Sequence, residues 1–376
     1  MTYTHVCLVS AQPIPNLIPL RMEEIRPKKV ILLVSPDMKL QSERLENVIK
    51  EWGIQVDKYP IAPYDLNAAR ETCISILSKY NNDEEIILNA TGGTKIMAFA
   101  AFEVFRENGL KIIYVDTQNG WIQALSPQPK QINFKDVLKV HTYLRAYGQK
   151  ILNEKTNIEI KRHSPVIDEL IKIFDIYQDA IKILNSYVAP WRSAGTFPIE
   201  IEIKQNDLEN ENFQKIIKLF AENNIFEFNN GLIKFLNIDD VEFASGGWLE
   251  EYVYRTIKSL SVVDVRMGVE VMWDVVPSKP PKNEYDVVFI HNNRLFLIEC
   301  KTERFEGIDK EVSTSDPIYK LESLRDAAGG VYGKGMLVSY QRLTDTQKRR
   351  LAANKLFYCD STDLKNLKSR IAQWIR

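Results

Sequence analysis

The sequence predicts an α/β protein with two sheet-bearing parts joined by a helical middle. Three observations carry this. Over the first third, short apolar runs alternate with stretches of helical period. Near the C-terminus, two apolar runs flank a tight polar turn. Between these parts the spacing is helical and one short hairpin pattern interrupts it.

In the first part, residues 5–10, 29–35, 55–61, 85–91, 111–116 and 121–125 read as strands. Residues 43–52, 68–80 and 95–107 read as helices. The alternation is that of an open, mostly parallel sheet, whose ligands bind beyond the carboxyl ends of the strands. Those ends are small and polar: Ser10-Ala11-Gln12, Ser35-Pro36-Asp37, Asn89-Ala90-Thr91 and Asp116-Thr117. The fullest is Asn89-Ala90-Thr91-Gly92-Gly93-Thr94-Lys95. Its glycines let backbone approach a ligand, the following helix offers free N–H groups to an anion, and Thr94 and Lys95 add a hydroxyl and a cation. It has neither the Walker A nor the G-x-G-x-x-G spacing. A purely structural strand-to-helix turn reads the same way.

In the middle, Ser164-Pro165 reads as an N-cap with proline at the first helical position, opening a helix over 166–187. A helix over 211–222 and a hairpin about Asn229-Asn230-Gly231 then resemble a winged-helix fragment, either a nucleic-acid contact or a spacer.

The third part is the most specific. If Asn292-Asn293 is a two-residue turn, Ile290 faces Leu295, Val288 faces Leu297 and Asp286 faces Glu299. Two carboxylates then oppose each other with Cβ atoms about 5 Å apart, and Lys301 shares the face of Glu299. Val287, Phe289, Phe296 and Ile298 fill one face of the hairpin; Val288, Ile290, Leu295 and Leu297 fill the other. The strands therefore read as central, where opposed acids destabilise unless a cation joins them. An ordinary hairpin with a Glu–Lys surface pair is the alternative. Upstream, Gly246-Gly247 opens a helix with Leu249, Val253, Ile257 and Leu260 on its apolar stripe. Glu251, four before Arg255, belongs on a solvated, charge-paired face. Glu250 lies at the margin of the buried face, and equally suits a helix N-terminus. Downstream, Asp316-Pro317 caps a helix bearing Lys320 and Arg325, which could reach substrate phosphates or simply face solvent.

Composition sets bounds. The chain has 376 residues, 45% hydrophobic, with a net charge of −1, so any basic surface is local. The four cysteines form no C-x-x-C and the four histidines no zinc pattern, which fits a reducing cytoplasm. No signal peptide or transmembrane run is expected.

The Asp286…Glu299-x-Lys301 set resembles the PD-(D/E)xK nuclease core, with Tyr285 where that family's name has proline. The resemblance implies that Asp286 and Glu299 bind Mg²⁺ or Mn²⁺, that Lys301 acts on the attacking water, and that Glu250 supplies the acid of the first helix. Val9-Ser10-Ala11-Gln12-Pro13-Ile14-Pro15-Asn16 together with Asn89 to Lys95 resembles a CARF domain, the Rossmann-like sensor of cyclic oligoadenylates in type III CRISPR immunity. CARF joined to PD-(D/E)xK is similar to the ancillary nucleases of those systems. This implies a CARF sensor over 1–145, a helical, winged-helix-like linker over 146–240 and a nuclease over 241–376. It also implies a homodimer that binds cyclic tetra-adenylate through Ser10, Gln12, Ile14, Asn16, Thr91, Gly92, Gly93, Thr94 and Lys95, and that cuts single-stranded DNA or RNA. A ligand-responsive nucleic-acid-binding regulator without catalysis, and a ring nuclease that degrades its own activator, are the competing expectations.

Overall fold

The computed structural model describes residues 3–79, 85–156, 160–274, 282–302 and 316–376. The N-terminal part runs β1 (Tyr3–Leu8), α1 (Ile14–Leu20), β2 (Pro27–Val34), α2 (Lys39–Glu51), β3 (Gln55–Pro60), α3 (Leu66–Leu77), β4 (Glu85–Asn89), α4 (Lys95–Glu107), β5 (Lys111–Asp116), β6 (Trp121–Ser126), β7 (Lys130–Asn133) and α5 (Val140–Ala146). Its seven-stranded sheet has the order β3-β2-β1-β4-β5-β6-β7. The first five strands in chain order are parallel, β6 runs antiparallel to β5, and β7 runs antiparallel to β6. From β1 the chain builds outward to β3, then returns to add β4 on the other side of β1. The loops after β1 and β4 therefore leave the sheet in opposite senses and open a crevice between them.

Three elements here escape the sequence pattern: α1, β7 and α5. All seven residues of α1 are buried, so it has no polar face to mark a helical period. Helix α3 begins two residues earlier than expected, and Tyr80, its expected end, lies outside the described residues.

The middle comprises β8 (Gln149–Asn153), α6 (Ile160–Lys172), α7 (Phe174–Val188), β9 (Ile199–Glu202), α8 (Gln205–Leu208), α9 (Glu211–Glu222), β10 (Glu227–Asn229) and β11 (Leu232–Phe235). The expected single helix over 166–187 is two helices, broken at Ile173 with φ −127° and ψ 44°. Ser164-Pro165 is not the helix start either: Pro165 lies inside α6. Tertiary contacts extend that helix, because Ser164 accepts from Arg255 (2.9 Å) and His163 pairs with Glu251 (2.8 Å). From α7 to β11 the order helix, strand, two helices, hairpin, with a three-stranded sheet β10-β11-β9, is winged-helix-like.

The C-terminal part runs α10 (Ile238–Glu242), a π-turn Phe243–Gly247, α11 (Trp248–Lys258), β12 (Asp264–Trp273), β13 (Lys282–His291), β14 (Arg294–Lys301), α12 (Pro317–Gly329), β15 (Lys334–Ser339), α13 (Asp345–Ala353), β16 (Phe357–Cys359) and α14 (Leu367–Trp374). Its six-stranded sheet has the order β16-β15-β14-β13-β12-β8. Strand β8, from the segment expected to be linker, thus closes one edge of this sheet. The β13–β14 hairpin has the expected register, Val288 opposite Leu297 and Ile290 opposite Leu295. Asn292 and Asn293 take φ of 51° and 53°, the double left-handed turn that asparagine tolerates.

Both faces of the hairpin are buried, as expected. Val287, Phe289, Phe296 and Ile298 join a core with α6, α7, α11 and α14. Val288, Ile290, Leu295 and Leu297 join a second core that includes Ile14, Leu45, Tyr143 and Leu144 of the N-terminal part and Leu321 and Leu324 of α12. The two sheets thus share one apolar core. Its rim is pinned by Asn293, whose Oδ1 accepts from Val137 N (2.9 Å) and Leu138 N (3.0 Å). No helix among the described residues is long and apolar enough to cross a membrane.

Candidate active site and ligand crevice

The hairpin register brings Asp286 and Glu299 together at the ends of the central strands. Asp286 is 8% exposed and Glu299 2%, so both carboxylates are largely out of water. The Asp286 Oδ2 accepts from the Cys300 N–H at 2.7 Å. Burial, then the neighbouring Glu299, push the Asp286 carboxyl up to about 7. Glu299 is held by two ammonium groups: Lys301 Nζ at 2.7 Å from its own strand, and Lys320 Nζ at 3.0 Å from the first turn of α12. Burial opposes the charge on Lys301, but Glu299 and Asp286 outweigh it and hold its ammonium above the usual lysine range.

Glu250 reaches the same place from the first turn of α11. Burial, then Asp286, drive its carboxyl well above the usual range, while Lys155 pulls it back. The π-turn sets this approach. Gly246 has φ +127°, and a Cβ there would stand 2.8 Å from Thr302 Oγ1 and 3.2 Å from Arg192 Nη2. Glycine lets the chain pass between those side chains before α11 begins.

Glu250, Asp286, Lys301 and Lys320 line one cavity of about 540 Å³. Five of its charged walls went unread in the sequence. Lys155, which pairs with Glu242 at 2.7 Å, comes from the segment after β8. Arg192 comes from the winged-helix-like part and donates from Nε to Ser245 Oγ at 2.7 Å. Glu284 and Glu270, cross-strand partners on β13 and β12, supply the rest. Glu284 was legible by alternation, two residues before Asp286; Lys155 and Arg192 carry no local signal. Among the described residues, no three His, Cys, Asp or Glu side chains stand as a ready-made metal cage; Glu299 is turned to its lysines.

Two expected placements differ. Arg325 is not brought to the cavity: it donates to Asp326 (2.7 Å) and to the Asn354 carbonyl (2.6 Å), on another side of α12 from Lys320. Glu251 is not solvated beside Arg255. It pairs with His163, and Arg255 turns to Asp168 at 2.5 Å, because α6 packs across this face of α11.

At the N-terminal crevice, the loops after β1 and β4 adjoin as the topology requires. Ser10, Gln12, Gly93 and Thr94 are half-buried and Lys95 is exposed. Ile14 and Asn16 are not available there. Ile14 is fully buried in the core, and Asn16 donates to the Leu8 carbonyl (2.9 Å) and accepts from Asn89 Nδ2 (3.1 Å). Thr91 is committed inward, donating to Asn89 Oδ1 (2.6 Å) and accepting from Val115 N (2.8 Å). A Cβ on Gly92 would stand 2.1 Å from the Leu8 carbonyl oxygen, so this glycine serves a close approach of the two loops. Thr94 caps α4, accepting from Met97 N at 3.2 Å.

Residues 4–143 match the family described as the Card1 CARF domain, and residues 238–376 the Card1-like endonuclease domain. Protein VC1899 of Vibrio cholerae shares the fold with a TM-score of 0.90 at 23% identity, covering 99% of this chain and 98% of that one. Can2 of Sulfobacillus thermosulfidooxidans, whose structure is a complex with cyclic tetra-adenylate, is 30% identical with a TM-score of 0.79, covering 99% of each chain. A type III CRISPR defence DNA nuclease activated by cyclic oligoadenylate has a TM-score of 0.57 at 16% identity, covering 98% of this chain and 52% of that one. No curated protein matches the chain. With both domains matched in order, and the full length shared with a relative at 30% identity, this chain belongs to the CARF-domain nucleases of type III CRISPR systems.

Proposed function

We propose that this protein is an endonuclease switched on by cyclic tetra-adenylate, using Mg²⁺ or Mn²⁺ to cut single-stranded DNA or RNA in type III CRISPR defence. One observation carries the reading: Glu250, Asp286, Lys301 and Lys320 converge on a single cavity, with Glu299 held by both lysines. The crevice between the β1 and β4 loops, and Can2, the relative in complex with cyclic tetra-adenylate, support the activator.

The donor set fits a hard divalent ion. The oxygen donors crowd one another: Asp286 raises the carboxyl of Glu250, and Glu299 raises that of Asp286, a cost that a cation relieves. Asp286 and Glu299 would hold it, with Glu250 in support. The bound ion would supply charge neutralisation and a water of lowered pKa. The remaining work falls to the chain. Lys301 and Lys320, released from Glu299, would face the charge that builds on the scissile phosphate. Arg192 would steady the π-turn that aims Glu250, through Ser245.

In this reading the sensor spans 1–145, the connecting part 146–240 and the nuclease 241–376. The sensor would dimerise: Leu66 and Ile74 of α3 and Phe99 of α4 are large, exposed apolar side chains, Phe99 by 63%, on helices that pack together. The test is a cleavage assay with Mn²⁺, with and without cyclic tetra-adenylate, on single-stranded and duplex substrates. Cleavage should require the activator. Glu299→Ala and Lys301→Ala should each abolish it and leave activator binding intact; retained cleavage in either variant would refute the assignment.

A further inference from the structure

The carboxamide of Gln12 lies where the ligand crevice meets the nuclease. Its Oε1 accepts from Tyr147 Oη at 2.9 Å, just beyond α5, and from the backbone N–H of Val331 at 3.3 Å. Val331 belongs to the 3-10 turn Gly330–Tyr332, the direct continuation of α12. The fit is close: a Cβ on Gly330 would stand 2.4 Å from Gln12 Oε1 and 2.6 Å from Tyr147 Oη, and Gly330 takes φ +54°. Tyr143, stacked on Tyr147 at 5.4 Å, donates to the Gly329 carbonyl at 3.3 Å. Gln12 and Tyr143 of the sensor therefore grip the C-terminal end of α12, and Tyr147, just past the sensor, holds Gln12 in place. The N-terminal end of that helix presents Lys320 to Glu299. The two ends lie roughly 14 Å apart along a rigid helix.

Gln12 also has something left to give. Its backbone N–H and carbonyl meet Ser10 Oγ, each at 3.3 Å, within the loop after β1. Its Nε2 protons have no partner among the described residues. A phosphate or base edge in the crevice can take them and draw the carboxamide off its two donors.

We infer that Gln12 is a positioning residue for the nuclease: by gripping the end of α12 it keeps Lys320 on Glu299, and ligand in the crevice releases that grip. This rests on the proposed activator and deepens it, by naming how the crevice governs the cutting site. Gln12 thus acts through α12 and need not touch substrate.

Val331→Pro tests it in the full-length protein. Val331 is 72% exposed in the middle of a 3-10 turn, a conformation with φ near that of proline, so the change replaces the N–H donor with a ring Cδ that turns the Gln12 carboxamide away. Losing that bond should raise activator-free cleavage about three- to tenfold and tighten cyclic tetra-adenylate binding by a similar factor. Tyr147→Phe, which keeps the ring and loses the hydroxyl, should do the same. Cleavage and affinity both unchanged, or one changed without the other, overturns the coupling. Should the wild type neither bind the cyclic nucleotide nor cut, the activator reading has failed separately. The grip is then judged by hydrogen exchange of the amides around Lys320. Faster exchange in Val331→Pro supports it; unchanged exchange overturns it.

Discussion

Asp286→Asn isolates the electrostatic cost of the buried carboxylate cluster. Burial and Glu299 lift the Asp286 carboxyl from 3.8 to about 7. A group that keeps its proton in the folded state while the unfolded chain loses it makes stability fall as pH rises. Stability should therefore decline between about pH 4 and pH 7 and level off above. Roughly three pH units at 1.36 kcal/mol each set the total at up to about 4 kcal/mol. Asparagine keeps the shape and the acceptor for the Cys300 N–H but cannot ionise. The assay is urea denaturation in chelated buffer from pH 5 to pH 8. The wild type should lose stability across that window and the Asn variant should lose much less. Millimolar Mn²⁺ should restore the wild type at pH 8 and leave the variant nearly unmoved. Identical pH dependence in the two proteins would refute the reasoning, since it would mean that Asp286 ionises without cost.

Two further substitutions probe how the site is held. Gly246→Ala forces a Cβ into contact with Thr302 and Arg192 at a φ of +127°; it should cost about 1–3 kcal/mol by thermal unfolding and lower cleavage by displacing Glu250. An unchanged melting temperature and cleavage rate would count against the π-turn as the aiming device. Asn293→Ala loses bonds to Val137 N, Leu138 N and the Lys135 carbonyl and leaves one buried and one half-buried donor unpaired. It should cost about 3 kcal/mol in chemical denaturation, and a loss below about 1 kcal/mol would show that the hairpin tip does not anchor the sensor.

What could be read in advance depended on how local the cause was. The hairpin register follows from one asparagine pair and from apolar alternation, so Asp286, Glu299 and Lys301 were legible together. Asp316 with Pro317 announced α12 for the same reason. Lys155 and Arg192 reach the cavity only through tertiary docking, and nothing in their neighbourhoods marks them. Helix α1 was hidden by total burial, which also removed Ile14 and Asn16 from the crevice. The break at Ile173 was invisible because the apolar period runs on through it while α6 and α7 pack on different partners. Arg325 shared a helix with Lys320, but five residues along an α-helix turn a side chain to a different face.

The apolar core shared by the two sheets bears on how such proteins diversify. One face of the nuclease sheet is roofed partly by α12 and partly by α5 of the sensor. The nuclease is therefore not a self-contained cassette. Exchanging sensors between relatives would strip that roof unless α5 travels with the sheet it covers. The loops after β1 and β4, by contrast, can be rewritten with the roof left in place.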